Sequence, residues 1–256
     1  MSVTSLGIPV KGTPDVRRER EKAPVSEEAQ ENLSAVDLLA DLSQAEVKKL
    51  EKSCSFKHYS AEEQIIDRQS ETKDVFFVID GNVRVVNYSL SGREITLDDL
   101  DAGAYFGELA AIDGRPRSAS VMALTDCLVA SLPQEQFLAV LEKHPKIALK
   151  VMRTLTRIVR TATDRIMDLS TLAANNRVQA DLLRLARAHM AGKNQAKIAP
   201  IPNHSDIASR ASTTRETVAR VLSDLARHGV VERQKDSLVI HNVQQLSEMV
   251  EQVRGD

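Results

Sequence analysis

Two short stretches of this sequence carry side chains suited to holding phosphates. The first runs Phe106-Gly107-Glu108-Leu109-Ala110-Ala111-Ile112-Asp113-Gly114-Arg115-Pro116-Arg117-Ser118-Ala119-Ser120-Val121. A β-type segment ends at Gly107, and the residues after it can open a short helix. Such a start offers free backbone N–H groups to an anion, and a glycine lets the ligand come close. Glu108 is a carboxylate placed to accept hydrogen bonds from a sugar hydroxyl. Arg117 can pair with a phosphate through two parallel bonds, and the Ser118 hydroxyl can add a donor. Taken singly, Glu108 reads equally well as a helix cap and Arg117 as a solvated charge.

The second stretch is Ile207-Ala208-Ser209-Arg210-Ala211-Ser212-Thr213-Thr214-Arg215-Glu216-Thr217-Val218-Ala219-Arg220-Val221-Leu222. Its apolar positions can pack two helices around a tight turn, with Thr213 or Thr214 capping the second. Arg215, Glu216 and Arg220 then point outward near the end of the helix that enters a major groove. Arginine suits guanine O6 and N7, glutamate can accept from cytosine N4, and Thr214 and Thr217 can donate to phosphates.

The first string, through Gly107, Glu108, Leu109, Ala110, Pro116, Arg117, Ala119 and Val121, resembles the phosphate-binding cassette of the cyclic-nucleotide-binding domain. The order Arg-Glu-Thr-Val-x-Arg, followed by Leu-x-x-x-Gly-Val-Val, resembles the recognition helix and wing of the Crp/Fnr family of bacterial transcription regulators. That resemblance implies an N-terminal β-roll, a long dimerisation helix and a C-terminal winged helix-turn-helix, an α+β architecture. It implies that Glu108 holds the ribose 2′-OH, Arg117 the cyclic phosphate with Ser118 assisting, and that Gly107, Leu109, Ala110 and Ala119 complete the cradle. Thr214, Arg215, Glu216, Thr217 and Arg220 inherit the DNA contacts, reading a palindrome of TGTGA-like half-sites in double-stranded DNA, with RNA polymerase as a further partner.

Cyclic-AMP receptors carry two adjacent hydroxyl residues near the adenine amino group. The run Leu-Ala-Arg after the long helix aligns Ala162 and Thr163 with them. One hydroxyl is absent and Thr163 keeps the other, so the expected ligand is cyclic AMP, with cyclic GMP or a merely structural pocket as alternatives. The turn between the two short helices has Ser212 where the family commonly has glycine.

The elements that must position these residues follow from periodicity. Residues 1–32 mix Gly, Pro and charge without apolar rhythm and are expected to form a flexible tail. Helical spacing of Leu38, Leu39, Leu42, Val47 and Leu50 opens a nucleotide-binding domain at 33–144. From Phe56 to Pro133 short β runs alternate with turns. Val75–Ile79, Asp80-Gly81-Asn82 and Val83–Val86 read as a hairpin, and Ser91-Gly92 as another turn. Helical rhythm returns at Gln134. Val151, Leu155, Ile158, Ala162, Arg165, Leu169, Leu172 and Asn176 step by threes and fours, giving a dimerisation helix over 145–174. A core helix within one subunit would show the same spacing. Residues 175–256 form the winged helix-turn-helix, with β character at Val230-Val231 and Leu238–Ile240.

Composition agrees. With 42% hydrophobic and 27% charged residues over 256 positions, the chain is globular and long enough for two modest domains. No apolar run reaches the roughly 20 residues of a membrane span, and the first residues lack a secretory pattern, so a cytoplasmic protein is expected. Net charge is −2, but from Asn175 onward twelve Lys and Arg face nine Asp and Glu. That excess permits DNA binding without establishing it. Cys54 and Cys127 read as reduced, buried thiols. Six histidines without ligand spacing suggest no metal. No nucleophile or carboxylate pair converges, so no enzyme is expected.

Overall fold

The computed structural model describes residues 31–90 and 92–254. Residues 1–30 of the tail expected over 1–32, and Ser91 of the second turn, lie outside the described residues. Helix α1 (Gln44–Glu51) starts at Ser43, whose side chain and that of Glu46 form a reciprocal capping box. Then come strands β1 (Ser55–Tyr59), β2 (Gln64–Ile66), β3 (Val75–Asp80), β4 (Asn82–Tyr88), β5 (Glu94–Asp101) and β6 (Tyr105–Phe106). Helix α2 (Glu108–Asp113) follows, and then β7 (Ser120–Ala123) and β8 (Cys127–Leu132). The strands form two four-stranded antiparallel sheets, in the orders β1-β8-β3-β6 and β2-β7-β4-β5.

The expected hairpin between Val75–Ile79 and Val83–Val86 does not form. Both runs are strands, but β3 pairs with β8 and β6, whereas β4 pairs with β7 and β5. The Asp-Gly-Asn signal marks a corner where the chain passes from one sheet to the other. Gly81 turns there at φ +84°, and a Cβ on it would meet the Asp126 carbonyl at 2.4 Å. The Thr125 hydroxyl accepts from the Asn82 amide and the Cys127 thiol donates to the Asn82 carbonyl, which fixes the corner. The true hairpin is β4–β5, around Ser89 to Arg93.

Helix α3 (Gln134–Lys143) is separated from the 27-residue α4 (Pro145–Thr171) by His144, which leaves the helical region (φ −123°, ψ 85°) as the proline after it requires. The N-terminal turns of α4 belong to the roll: Ile147 and Val151 pack in one core with Phe77, Phe137, Leu33 and Leu39. Of the positions expected to form a dimer seam, several face the chain's own body. Val151 and Leu155 enter that core, Arg165 donates to the carbonyls of Thr96 and Leu97, and Leu172 joins the core of the C-terminal half. The helix has two apolar faces, and the outward one is set one residue later. Met152, Val159 and Ile166, flanked by Ile158, Ala162 and Leu169, stand exposed along it.

After the break at Leu172-Ala173 come α5 (Ala174–Ala188), β9 (Ala196–Ile198), α6 (His204–Arg210), α7 (Arg215–Arg227), β10 (Val231–Arg233), β11 (Leu238–Ile240) and α8 (Val243–Arg254). The wing is three-stranded, in the order β10-β11-β9. Strand β9, from a stretch read as a loop, and α8 were not expected from the sequence. Val178, Leu182, Ile207, Val218, Leu225, Ile240 and Leu246 form the core here. Both cysteines are free, Cys127 buried and Cys54 only partly so.

Candidate ligand and DNA sites

Strand β6 delivers the chain to Gly107, which turns at φ +85° and starts α2. A Cβ at this position would lie 2.7 Å from Arg117 Nη1 and 3.0 Å from the Asp74 carbonyl, so glycine is what allows Arg117 to lie against the backbone. Arg117 is 3% exposed. Its Nε donates to Thr72 Oγ1 at 3.1 Å, Nη1 to the Gly107 carbonyl at 2.9 Å and Nη2 to the Asp74 carbonyl at 2.8 Å. The guanidinium lies 5.4 Å from the centre of the Phe76 ring, itself stacked on Phe106 at 5.2 Å. Burial works against the charge of Arg117, and Asp74 and Glu108 support it.

Glu108, the first residue of α2, is also buried. Loss of water pushes its carboxyl above the ordinary range; its own backbone N–H and the charges of Arg117 and Arg157 pull the other way. A buried carboxylate and a buried guanidinium thus face one space, the pairing needed to hold a sugar hydroxyl and a phosphate together. Ala110 and Ala119 are buried beneath them, while Leu109 and Ser118 are exposed.

This space is one end of a cleft of about 2070 Å³, larger than the usual few hundred to about 1,000 Å³ of a single ligand pocket. Opposite the cassette, α4 contributes Thr154, Arg157, Ile158, Thr161, Ala162 and Arg165 to its wall. Ala162, which the alignment sets beside the base, lines this wall. Thr163 does not line the cleft: it is exposed, and its hydroxyl donates to the Val159 carbonyl at 2.9 Å. Thr161, which sequence reasoning passed over, lines the cleft instead. Counting threes and fours inward from Val151 reaches 154, 158, 161 and 165, so the signal for this face was present.

The cleft runs on between β5 and the C-terminal half, where a chain of ion pairs bridges the two. Arg84 contacts Asp99 at 2.6 Å and Asp206 at 2.8 Å, Arg210 contacts Asp181 at 3.0 Å, and Arg184 joins Asp181 to Asp168. Beside them the Ser209 hydroxyl accepts from the Thr96 amide and donates to the Glu94 carbonyl, each at 2.9 Å. None of these residues was singled out from sequence, since apart from Arg184–Asp181, three residues apart on α5, the pairs join residues distant in the chain.

In the C-terminal half, α6 and α7 flank a turn in which Ser212 adopts φ +48°, a left-handed conformation that costs a side-chain-bearing residue about 1–2 kcal/mol. Arg177, also missed from sequence, holds this turn. Its Nε and Nη2 donate to the Ala211 and Ser212 carbonyls, and Nη1 to the Leu172 carbonyl at the end of α4. Thr214 caps α7, its Oγ1 accepting from the Thr217 amide. Val218, Val221 and Leu225 face the core, which leaves Arg215, Glu216 and Arg220 exposed. A hydrogen bond from Thr214, its own backbone N–H and neighbouring Arg215 hold the Glu216 carboxyl below its ordinary range. Arg220 reaches Asn175 Oδ1 at 3.3 Å.

Residues 56–144 match the cyclic nucleotide-binding domain family and residues 176–249 the Crp-like helix-turn-helix domain family. The chain is 37% identical over 157 residues to a cyclic AMP receptor protein of Thermus thermophilus, covering 61% of this chain and 70% of that one. It is 24% identical over 189 residues to the cAMP-activated global transcriptional regulator CRP of Salmonella typhimurium, covering 73% and 90%. Its fold matches that of a CooA mutant from Carboxydothermus hydrogenoformans with a TM-score of 0.72 and 23% identity, over 89% of this chain and 98% of the other. Among the described residues no helix is long and apolar enough to cross a membrane, and no group of side chains is arranged to hold a metal ion.

Proposed function

The chain belongs to the Crp/Fnr family of transcription regulators, binding a cyclic nucleotide and DNA, and from that premise we propose a cytoplasmic homodimer gated by cyclic AMP. The observation that carries the reading is the burial of Glu108 and Arg117 side by side at a cleft whose far wall is α4. Glu108 takes the ribose 2′-OH and Arg117 turns a guanidinium donor to the cyclic phosphate, with Ser118 beside it. The base reaches α4 near Thr161 and Ala162.

The outward apolar stripe of Met152, Val159 and Ile166 on α4 supports a second copy packing there. A base lying against Ala162 would then touch the subunit contact, so its binding biases the dimer toward one arrangement of the DNA-binding halves. Arg215, Glu216 and Arg220 of each subunit read a TGTGA-like half-site of a palindrome, bringing the regulator to RNA polymerase.

Cyclic GMP is the second reading, favoured by Ala162 and by the Thr163 hydroxyl being spent on Val159. A neutral hydrogen bond lost costs about 0.5–1.5 kcal/mol, so discrimination between the nucleotides falls to tenfold or so. Calorimetric titration with each nucleotide, repeated with palindromic DNA, tests both. Cyclic AMP is expected to bind more tightly, and more tightly still with DNA present, because the coupling is reciprocal. Preference for cyclic GMP selects the second reading, and no heat with either would leave the pocket a structural one.

A further inference from the structure

We propose that Arg93, a residue of the nucleotide-binding half, is a contact to the DNA backbone. The proposal rests on the DNA-binding reading of α7 and adds to it a residue from outside the helix-turn-helix. Arg93 stands at the turn of the β4–β5 hairpin, and its Nη2 donates to the Thr213 carbonyl at 2.6 Å and to the Ala208 carbonyl at 3.4 Å. Thr213 immediately precedes Thr214, the cap of α7, so the guanidinium lies on the outside of the turn from which Arg215 and Glu216 project.

Three features separate Arg93 from the other arginines at this seam. Arg84 and Arg210 have side chains only 10% exposed and are matched by Asp99, Asp206 and Asp181. Arg93 is exposed and, among the described residues, pairs with no carboxylate, and its Nε and Nη1 meet no acceptor. Arg215, also exposed, follows the Thr213 carbonyl that Arg93 holds by two residues, at the end of α7 where a helix disfavours cations. Such a grouping is electrostatically unfavourable by itself and is relieved by a polyanion.

The position is also fixed. One and three residues along, the hairpin is pinned to α6 by the bonds of Ser209 to Glu94 and Thr96, and Arg84 reaches Asp206 from the neighbouring strand. The charge therefore arrives with α7 as one surface. The chemistry it offers is charge-assisted donation to a phosphate oxygen, which carries no base information.

The test uses the full chain with cyclic AMP, alone and omitted, and fluorescence anisotropy on a palindromic duplex and a random one across about 50–200 mM salt. Arg93→Gln keeps a donor for the Thr213 carbonyl and removes the charge; Arg93→Lys keeps the charge. The expected result for Arg93→Gln is an equal loss on both duplexes, about eightfold per protomer at about 0.1 M salt. Its log–log salt slope should be shallower by about 0.9 per protomer. Arg93→Lys should retain the slope, and nucleotide affinity should be unchanged in both. A wild-type salt slope in Arg93→Gln, whatever its affinity, would show that Arg93 only ties the hairpin to the turn and overturn the proposal. Failure of the unmodified protein to bind either duplex would instead remove the DNA-binding reading itself.

Discussion

The arginines at the two ends of this molecule live under opposite conditions. Arg117 is buried, stacked on Phe76 and bonded to two backbone carbonyls and a threonine hydroxyl. Arg215 and Arg220 stand in solvent on α7, and among the described residues only Arg220 makes a side-chain hydrogen bond, an exposed one to Asn175. The cassette is part of the folded core, so its geometry is prepared in advance and a small ligand need not order it. The recognition helix is a rigid support for side chains that stay free, and a large polyanion supplies the order when it arrives. Changes at the first site should therefore affect stability and binding together, and changes at the second should affect binding alone.

Arg117→Ala is the strongest way to break that contrast. Removing a charge-assisted bond to phosphate should weaken nucleotide binding by about 10- to 150-fold, read by calorimetry. It also strands the Gly107 and Asp74 carbonyls, so thermal unfolding should show a loss of about 1–3 kcal/mol. An unchanged melting temperature would mean the cassette is no more part of the core than α7 is. Arg220→Ala should cost about 1–3 kcal/mol of DNA affinity and relax specificity at one base pair, with the melting temperature unmoved. A destabilised Arg220→Ala protein would erase the distinction from the other side.

Glu108→Gln sharpens the comparison, because here binding and stability should move in opposite directions. Burial raises the carboxyl above its ordinary 4.5. The folded protein thus holds this proton more tightly than the unfolded chain. The resulting stability is complete below about 4.5 and is lost as pH rises through the folded value. At neutral pH Glu108 is a cost that Gln does not carry. The variant should melt higher than the wild type near neutrality, the gap closing as pH falls, while its nucleotide affinity drops by about tenfold. Ser212→Gly should have the smallest effect. It relieves the left-handed turn and stabilises by about 1 kcal/mol, or about 2–4 °C, leaving DNA affinity unchanged in a binding titration.

Both motifs were legible in the sequence because each is contiguous: one strand–glycine–helix turn holds Gly107 to Val121, and one helix-turn-helix holds Ile207 to Leu222. What failed was everything that depends on which surfaces meet. Asp80-Gly81-Asn82 carries the composition of a hairpin turn, and only the pairing of β3 and β4 with other strands reveals a corner. Threes and fours along α4 fit either of its two apolar faces, and the set counted from Val151 was mostly the inward one. The same register decides that Thr161 rather than Thr163 lines the cleft. Arg84, Arg177 and Ser209 act on partners up to 122 residues away, and a lone polar residue leaves no periodic trace of such a contact.

Strand β5 lies at the rim of its sheet, with β4 on one side and, among the described residues, no further strand on the other. Along that open side the Ser209 hydroxyl takes the Thr96 amide and gives to the Glu94 carbonyl, as a neighbouring strand would. Helix α6 thus serves the roll as a guard against edge-to-edge pairing with other chains. A roll separated from its C-terminal half, by truncation or proteolysis at the Leu172-Ala173 break, would bare those two groups and become the form of this protein most prone to aggregate.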